Sequence, residues 1–377
     1  MPFTLSDDEQ LIQQVVGEFA RDQITLDGAS DLDRHDRFPA EHLTAAAGLG
    51  LMGMTVGQEL GGAGTGPTAY ALAIHEVAKV CVNTATVLAV HNGLGLRLLA
   101  HGDATVVQAA AAGEPVAVLA TEEAHGSDKG TLGTEAVAEG DGYVLTGMKV
   151  WAVGAVGAKH FVVLAEAPEG PTLFHVPADA DGITLGQNEP IMGLRASGIR
   201  TVYLSGVRVP ASAMLGKPGG GVQLLADAQP WLQVGIAAAT VGATRGAFEA
   251  AREFAQSRIQ FNEPIGKYQA VSDGITEVDI QTSAGMALTL QAAAHLEAGG
   301  GEAAAWAARA KAFAIEAGIP MTRQNIRIQG GTGFMREGGT ERFARDVRAL
   351  QFVGEPVHMQ RDVLKRHLLD IEFEASP

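Results

Sequence analysis

"YVLTGMKVWAVGAVGAKHFVVLAEAPEGPTLFHVPA" (residues 143–178) has the pattern of strands in a chain that otherwise reads as helices. β-Branched, aromatic and aliphatic residues come in runs too short for helices. Gly, Pro and acidic turns separate them at the spacing of antiparallel strands. "PVAVLATEE" (115–123) precedes this stretch and "GIRTVYLSGVRVP" (198–210) follows it with the same pattern. The segment from about 116 to 215 therefore reads as a small central antiparallel β-barrel or sandwich. On both sides the period changes to that of helices. "SDDEQLIQQVVGEFARDQI" (6–24) opens with an N-cap serine and acids in its first turn, then carries Leu11, Val15, Phe19 and Ile24 as an apolar stripe. "FPAEHLTAAAGLGLMGM" (38–54) reads as a second helix, and 67–103 as two more after the glycine loop 61–66. After the strands, 234–259, 270–298, 302–329 and 356–373 read as helices, rich in Ala and Gly that permit close packing, and predict a four-helix bundle. The expected fold is α+β, mostly α: an N-terminal helical domain (1–115), the central β-domain (116–221) and a C-terminal helical bundle (222–377).

Strands gathered in one block argue against a doubly wound sheet. "GGAGTGP" (61–67) agrees, since Pro67 stands where G-x-G-x-x-G needs its last glycine. The 377 residues carry 27 Lys plus Arg against 43 Asp plus Glu, a net charge of −16. Such a chain is repelled by phosphate backbones and anionic lipid, so neither nucleic acid nor a membrane surface is expected as partner. One cysteine, Cys81, excludes an intrachain disulfide and fits a reducing compartment. With no leader pattern at the N-terminus and no long apolar run, the expected location is cytoplasmic. His75, His91, His101 and His125 lack metal-ligand spacing.

Several stretches in order resemble motifs of the acyl-CoA dehydrogenase family. They are "ELGGAGTG" (59–66), "ATEEAHGSDKGT" (120–131), "GMKVWAVGA" (147–155), "MGLRASGIRTVYLSGVRVPASAMLG" (192–216), "SRIQFNEPIGKYQAV" (257–271) and "IQGGTGFMREGGTERFARDVRALQ" (328–351). The resemblance implies FAD held between the β-domain and the C-terminal bundle, with help from a neighbouring subunit. It places Thr121 and Ser127 along the flavin, Ser127 also on the thioester, and Trp151 against the isoalloxazine ring. It takes Arg258 to the pyrophosphate of a partner's FAD, with Phe261 and Gln269 nearby, sets Gly330 and Gly331 where backbone approaches the cofactor, and puts Arg366 near the active site. Chemistry supports this beside the analogy: a pyrophosphate needs a cationic fork, and glycine pairs allow an approach that Cβ atoms block. Taken singly, Arg258 reads as a surface cation, Gly330–Gly331 as a turn, Trp151 as core and Cys81 as a buried structural thiol.

The resemblance also implies acyl-thioester desaturation: a carboxylate removes the α-proton while hydride leaves the β-carbon for flavin N5. Where the family carries its catalytic Glu, this chain has Gly354; where some members carry the base on an earlier helix, it has Leu232. Val153, Val118, Arg327 and Gln233 replace other residues of the pattern. Glu355, one residue late and followed by Pro356, is the provisional base; Asp227 is a remote candidate, and His358 stands at a position usually acidic. The leading expectation is an FAD-dependent acyl-CoA dehydrogenase acting on acyl-CoA, or on an acyl carrier protein thioester. It would pass electrons to an electron-transfer flavoprotein-type acceptor and assemble as a homotetramer. Two alternatives stay open: a catalytically degenerate subunit of a hetero-oligomer with an active homologue, and a flavin oxidase or monooxygenase on the same fold.

Overall fold

The computed structural model describes residues 4–126, 129 and 131–369. Helices come first: α1 (Asp7–Phe19), α2 (Leu26–Arg34), α3 (Ala40–Gly48), α4 (Gly66–Ala78) and α5 (Val82–Val90). A π-helical segment (His91–Leu96) runs from α5 into α6 (Arg97–Leu99), and α7 (Ala104–Ala112) closes the series. α1 begins at a capping box in which Ser6 Oγ accepts from Glu9 N at 3.3 Å while Glu9 Oε2 accepts from Ser6 N at 2.7 Å.

The strands follow: β1 (Val116–Leu119), β2 (Glu135–Glu139), β3 (Gly142–Ala152), β4 (His160–Ala167), β5 (Gly170–Pro177), β6 (Ile183–Leu185), β7 (Arg200–Pro210) and β8 (Met214–Leu215). They form one sheet in the order β6-β7-β3-β2-β4-β5-β8, with β1 added beside β4. Two sequence expectations are corrected here. The sheet is not a closed barrel: β6 pairs only with β7 and β8 only with β5, and closure requires every strand to be paired on both sides. It is also not wholly antiparallel, because β1 and β2 both meet β4 in parallel. β2 escaped the sequence reading since only Ala136 of its five residues is buried, and alanine is a weak strand former.

The C-terminal part holds α8 (Gly221–Ser257), the hairpin β9 (Ile259–Gln260) and β10 (Glu263–Pro264), then α9 (Gln269–Ala298), α10 (Ala303–Gln329), α11 (Gly331–Phe334), α12 (Thr340–Leu350) and α13 (Val357–Leu369). α8, α9 and α10 pack on one another, and the fourth side of the bundle is shared by α12 and α13, which both lie on α10. Residues 370–373 of the expected last helix lie outside the described residues. The small residues seen in the sequence are used where α4 crosses α8: a Cβ at Gly242 would stand 2.3 Å from the carbonyl oxygen of His75.

The loop 192–197 ties the three parts together. Leu194 N donates to Asp346 Oδ1 (2.7 Å) on α12, and Ala196 N donates to Asn83 Oδ1 (3.0 Å) on α5. Arg345 spans from Asp33 (2.6 Å) on α2 to Glu341 (2.9 Å). The approach is so close that a Cβ at Gly193 would lie 2.1 Å from Arg345 O. Gly193→Ala should therefore lower stability by about 1–3 kcal/mol, as overpacking against rigid backbone does, read as a fall in the urea midpoint.

Candidate active site

The turn between α12 and α13 sits where α8 and α10 meet. Gly354 has φ +73°, a left-handed conformation that glycine takes without penalty. A Cβ there would stand 2.9 Å from Leu232 Cδ2, 3.5 Å from Gln229 Oε1 and 3.6 Å from Lys311 Nζ. Positions 354 and 232 thus face each other, and neither carries an acid. Gly354→Ala should cost about 1–2 kcal/mol from the left-handed backbone, measurable as a lower midpoint of unfolding.

Lys311 comes up from α10 with no exposed side-chain surface and donates to the carbonyls of Val353 (2.7 Å) and Glu355 (2.5 Å). Burial pulls its ammonium down to about 7, while the Glu355 carboxylate pushes it back up. Gln360 Nε2 adds a 3.1 Å hydrogen bond to the Glu355 carbonyl. The Glu355 side chain is half-buried, and among the described residues no group lies within hydrogen-bonding distance of its carboxylate. The oxygens Gln229 Oε1, Gln233 Oε1 and Gln360 Oε1 are buried without a partner.

Opposite the turn stand the end of α5 and its π-helical continuation. A methyl at Gly93 would be 2.9 Å from the backbone of Leu232 and 3.0 Å from the Tyr70 hydroxyl, so the two helices touch. Tyr70, fully buried, fills the space behind them and donates to Ala89 O (3.2 Å). β1, β3 and the residue after β3 supply the third side: Val118 and Val153 pack half-buried on this core, and Val150 N donates to Thr121 O (2.9 Å). The register of β3 against β7 shifts between Lys149 and Ala152, which leaves Trp151 at φ +55° with 54% of its surface exposed. A bulge re-aims a side chain in this way.

Next to Thr121, Glu122 is a buried hub. Its carboxylate accepts from Lys149 Nζ (2.6 Å), Gly133 N (2.6 Å) and Thr134 N (3.0 Å). Burial alone would raise its pKa, but these donors outweigh it and hold it at about 2. Ser127 lies outside the described residues.

A second group of sequence candidates gathers elsewhere. Arg258 ends α8, Phe261 stands 87% exposed at the tip of the β9–β10 hairpin, and Gln269 begins α9. Ile328, two residues before Gly330–Gly331, packs with Ala255 and Ile265 at the same end of the bundle. At the helical rise, Leu232 and Arg258 are about 39 Å apart along α8. Arg366 is exposed and about 14 Å along α13 from its first turn, so this chain does not bring it to Glu355. Asp227 is exposed and accepts from Gln223 Nε2 (2.8 Å), and His358 is exposed. Cys81 is buried and accepts from Thr84 Oγ1 (3.2 Å). No cluster of His, Cys, Asp and Glu able to hold a metal occurs among the described residues, and no helix there is long and apolar enough to cross a membrane.

Lys311, Gln229, Gln360 and Tyr70 were missed by the sequence reading. For Lys311 a signal existed: Ala307, Ala308, Ala314 and Ile315, its neighbours at helical spacing, are all buried, so a lysine stands on an apolar face.

With the site described, similarity to known proteins adds a second line. Three family models match: the acyl-CoA dehydrogenase N-terminal domain over residues 6–114, the middle domain over 117–207 and the C-terminal domain over 219–369. The mitochondrial short-chain specific acyl-CoA dehydrogenase of Homo sapiens is 32% identical over 376 residues, covering 97% of this chain and 91% of that one. Butyryl-CoA dehydrogenase from Megasphaera elsdenii superposes with a TM-score of 0.93 at 25% identity, over 98% of this chain and all of that one. A chain from the structural work on the electron transferring flavoprotein of Acidaminococcus fermentans superposes with a TM-score of 0.94 at 26% identity, over 98% of this chain and 100% of its own. Motif order, architecture and these similarities agree that the chain belongs to the acyl-CoA dehydrogenase family of oxidoreductases, which act on the CH–CH bond of acyl-CoA thioesters.

Proposed function

We propose that the protein is an FAD-dependent acyl-CoA dehydrogenase that desaturates a short acyl group, with Glu355 as the base that takes the α-proton. One observation carries the reading: the half-buried carboxylate of Glu355 stands on the turn whose neighbouring residue, Gly354, abuts Leu232 on α8. The residues present fit FAD. An exposed Trp151 ring on a bulge beside Thr121 offers a flat apolar face for a flavin ring. At the far end of the bundle Arg258, the exposed Phe261, Gln269 and the Gly330–Gly331 backbone offer a cation, an aromatic face and open main chain for pyrophosphate and adenine. When bound, the flavin supplies the hydride acceptor.

Leu232, beside the Glu355 turn, and Arg258 are about 39 Å apart along α8, which supports Arg258 and its neighbours serving the cofactor of a second copy in a homotetramer. Ser127 and Arg366 are assigned to the thioester and its carrier. The acyl carrier is coenzyme A, the electron acceptor a separate electron-transfer flavoprotein, and the setting the cytoplasm, in keeping with the single cysteine.

Chain length follows from the packing beyond Leu232. The close approach of Gly93 to the Leu232 backbone and the Tyr70 hydroxyl supports a short acyl group, if the chain runs toward them from the Glu355 turn. The purified holoprotein, mixed anaerobically with acyl-CoA esters, should bleach with butyryl-CoA at least about tenfold faster than with palmitoyl-CoA, a difference of about 1.4 kcal/mol. Bleaching by none of the esters would remove the reading and favour a subunit that completes the sites of an active homologue. Peroxide formation without bleaching by acyl-CoA would favour the oxidase.

A further inference from the structure

We propose that Lys311 is a positioning residue that fixes the 353–355 turn and thereby aims Glu355; this rests on the reading of Glu355 as the base. A lysine ammonium on the Ala-rich face of α10, with no exposed side-chain surface, is costly unless hydrogen bonds compensate it. Its two partners here are the carbonyls on either side of Gly354, those of Val353 and Glu355. The turn needs such a clamp. Its own backbone bonds, Phe352 N to Ala349 O and Val353 N to Leu350 O, end before Gly354, and α13 begins its bonding at the carbonyl of Pro356. Between those anchors Gly354 is free to rotate. Holding both flanking carbonyls on one nitrogen sets the peptide planes around Gly354 and so the direction of the Glu355 side chain. A hydrophobic residue of the same length would fill the space but leave the Val353 carbonyl without this donor and the Glu355 carbonyl, among the described residues, to Gln360 Nε2. Lys311 reaches the acid's main chain and not the substrate, so its effect on rate runs through Glu355.

The test uses the FAD-loaded protein and anaerobic stopped-flow bleaching by butyryl-CoA. Lys311→Met is expected to slow the limiting rate about 100-fold, the usual cost of a misplacement near 1 Å, with flavin content and the concentration for half-saturation little changed. Combined with Glu355→Gln it should slow the reaction no further than Glu355→Gln alone, because the two act as a unit. If Lys311→Met does not accumulate as folded holoprotein, Gln360→Met carries the test, with a loss of about tenfold expected from removing the weaker clamp and the same lack of additivity. A full rate in the single variant, or penalties that add in the double variant, overturns the assignment of Lys311. Glu355→Gln at full rate overturns instead the choice of base, so the two failures are distinguishable.

Discussion

Glu355→Gln is expected to slow reductive bleaching by about 10²–10⁴-fold while FAD stays bound, the range lost when a positioned proton acceptor is removed. The exchange keeps size and shape, so the turn and its hold on Lys311 through the main-chain carbonyl persist. What disappears is a group that can take the α-proton. Glu355 stands half-buried on the turn before α13, and among the described residues no salt bridge holds its carboxylate away from a substrate. Glu355→Asp, which draws the carboxylate back by one methylene, should lose about 100-fold. Gly354→Glu in the Glu355→Gln background should not restore the rate, because a side chain at φ +73° meets Leu232. Bleaching of Glu355→Gln at the parent rate would exclude Glu355 as the base.

Lys149→Met is expected to destabilise the protein by about 3–5 kcal/mol, because it leaves the Glu122 carboxylate buried without its cation. Lys149 lies wholly inside on β3, two residues before Trp151, and pairs with Glu122 at 2.6 Å; Glu122 follows Thr121 and gathers Gly133 and Thr134. The pair braces the two segments that present Thr121 and Trp151. The double variant Lys149→Met with Glu122→Gln should lose less than the single one, since no unpaired charge remains.

The sign of the pH effect follows from the Glu122 carboxyl, held at about 2 in the folded chain against 4.5 when unperturbed. A depressed carboxyl pKa contributes stability that is fully present above about 4.5 and is lost as pH falls toward 2. The parent protein should therefore weaken over that window; in Lys149→Met, where burial of Glu122 is no longer offset by the cation and its pKa rises, this loss of stability on acidification should shrink. Urea midpoints taken from pH 7 downward measure both effects. A Lys149→Met protein as stable as its parent would mean that Glu122 is satisfied by backbone donors alone.

Much of the architecture was legible because period and punctuation are local properties. The helix–strand–helix order, a helix over 302–329 and the N-cap at Ser6 all follow from neighbours within a few residues. Barrel closure was not legible, since it depends on whether β6 and β8, three and two residues long, meet across the sheet. The parallel pairing of β1 with β4 was hidden for the same reason: it joins residues more than forty positions apart. Trp151 could be singled out by motif, but its exposure arises from a register shift between β3 and β7.

The active-site reading divides in the same way. Residue identity and order alone give Gly at 354, Leu at 232 and Glu355 as the acid nearest to where the motif resemblance sets the catalytic Glu. That 354 and 232 touch, that Lys311 reaches out of an alanine-rich helix to hold the turn, and that Arg258 lies about 39 Å along α8 from Leu232 emerge once the helices are packed. Hydrogen bonds and contacts between segments far apart in the chain depend on where helix packing sets each backbone, and no local pattern of residues encodes that placement.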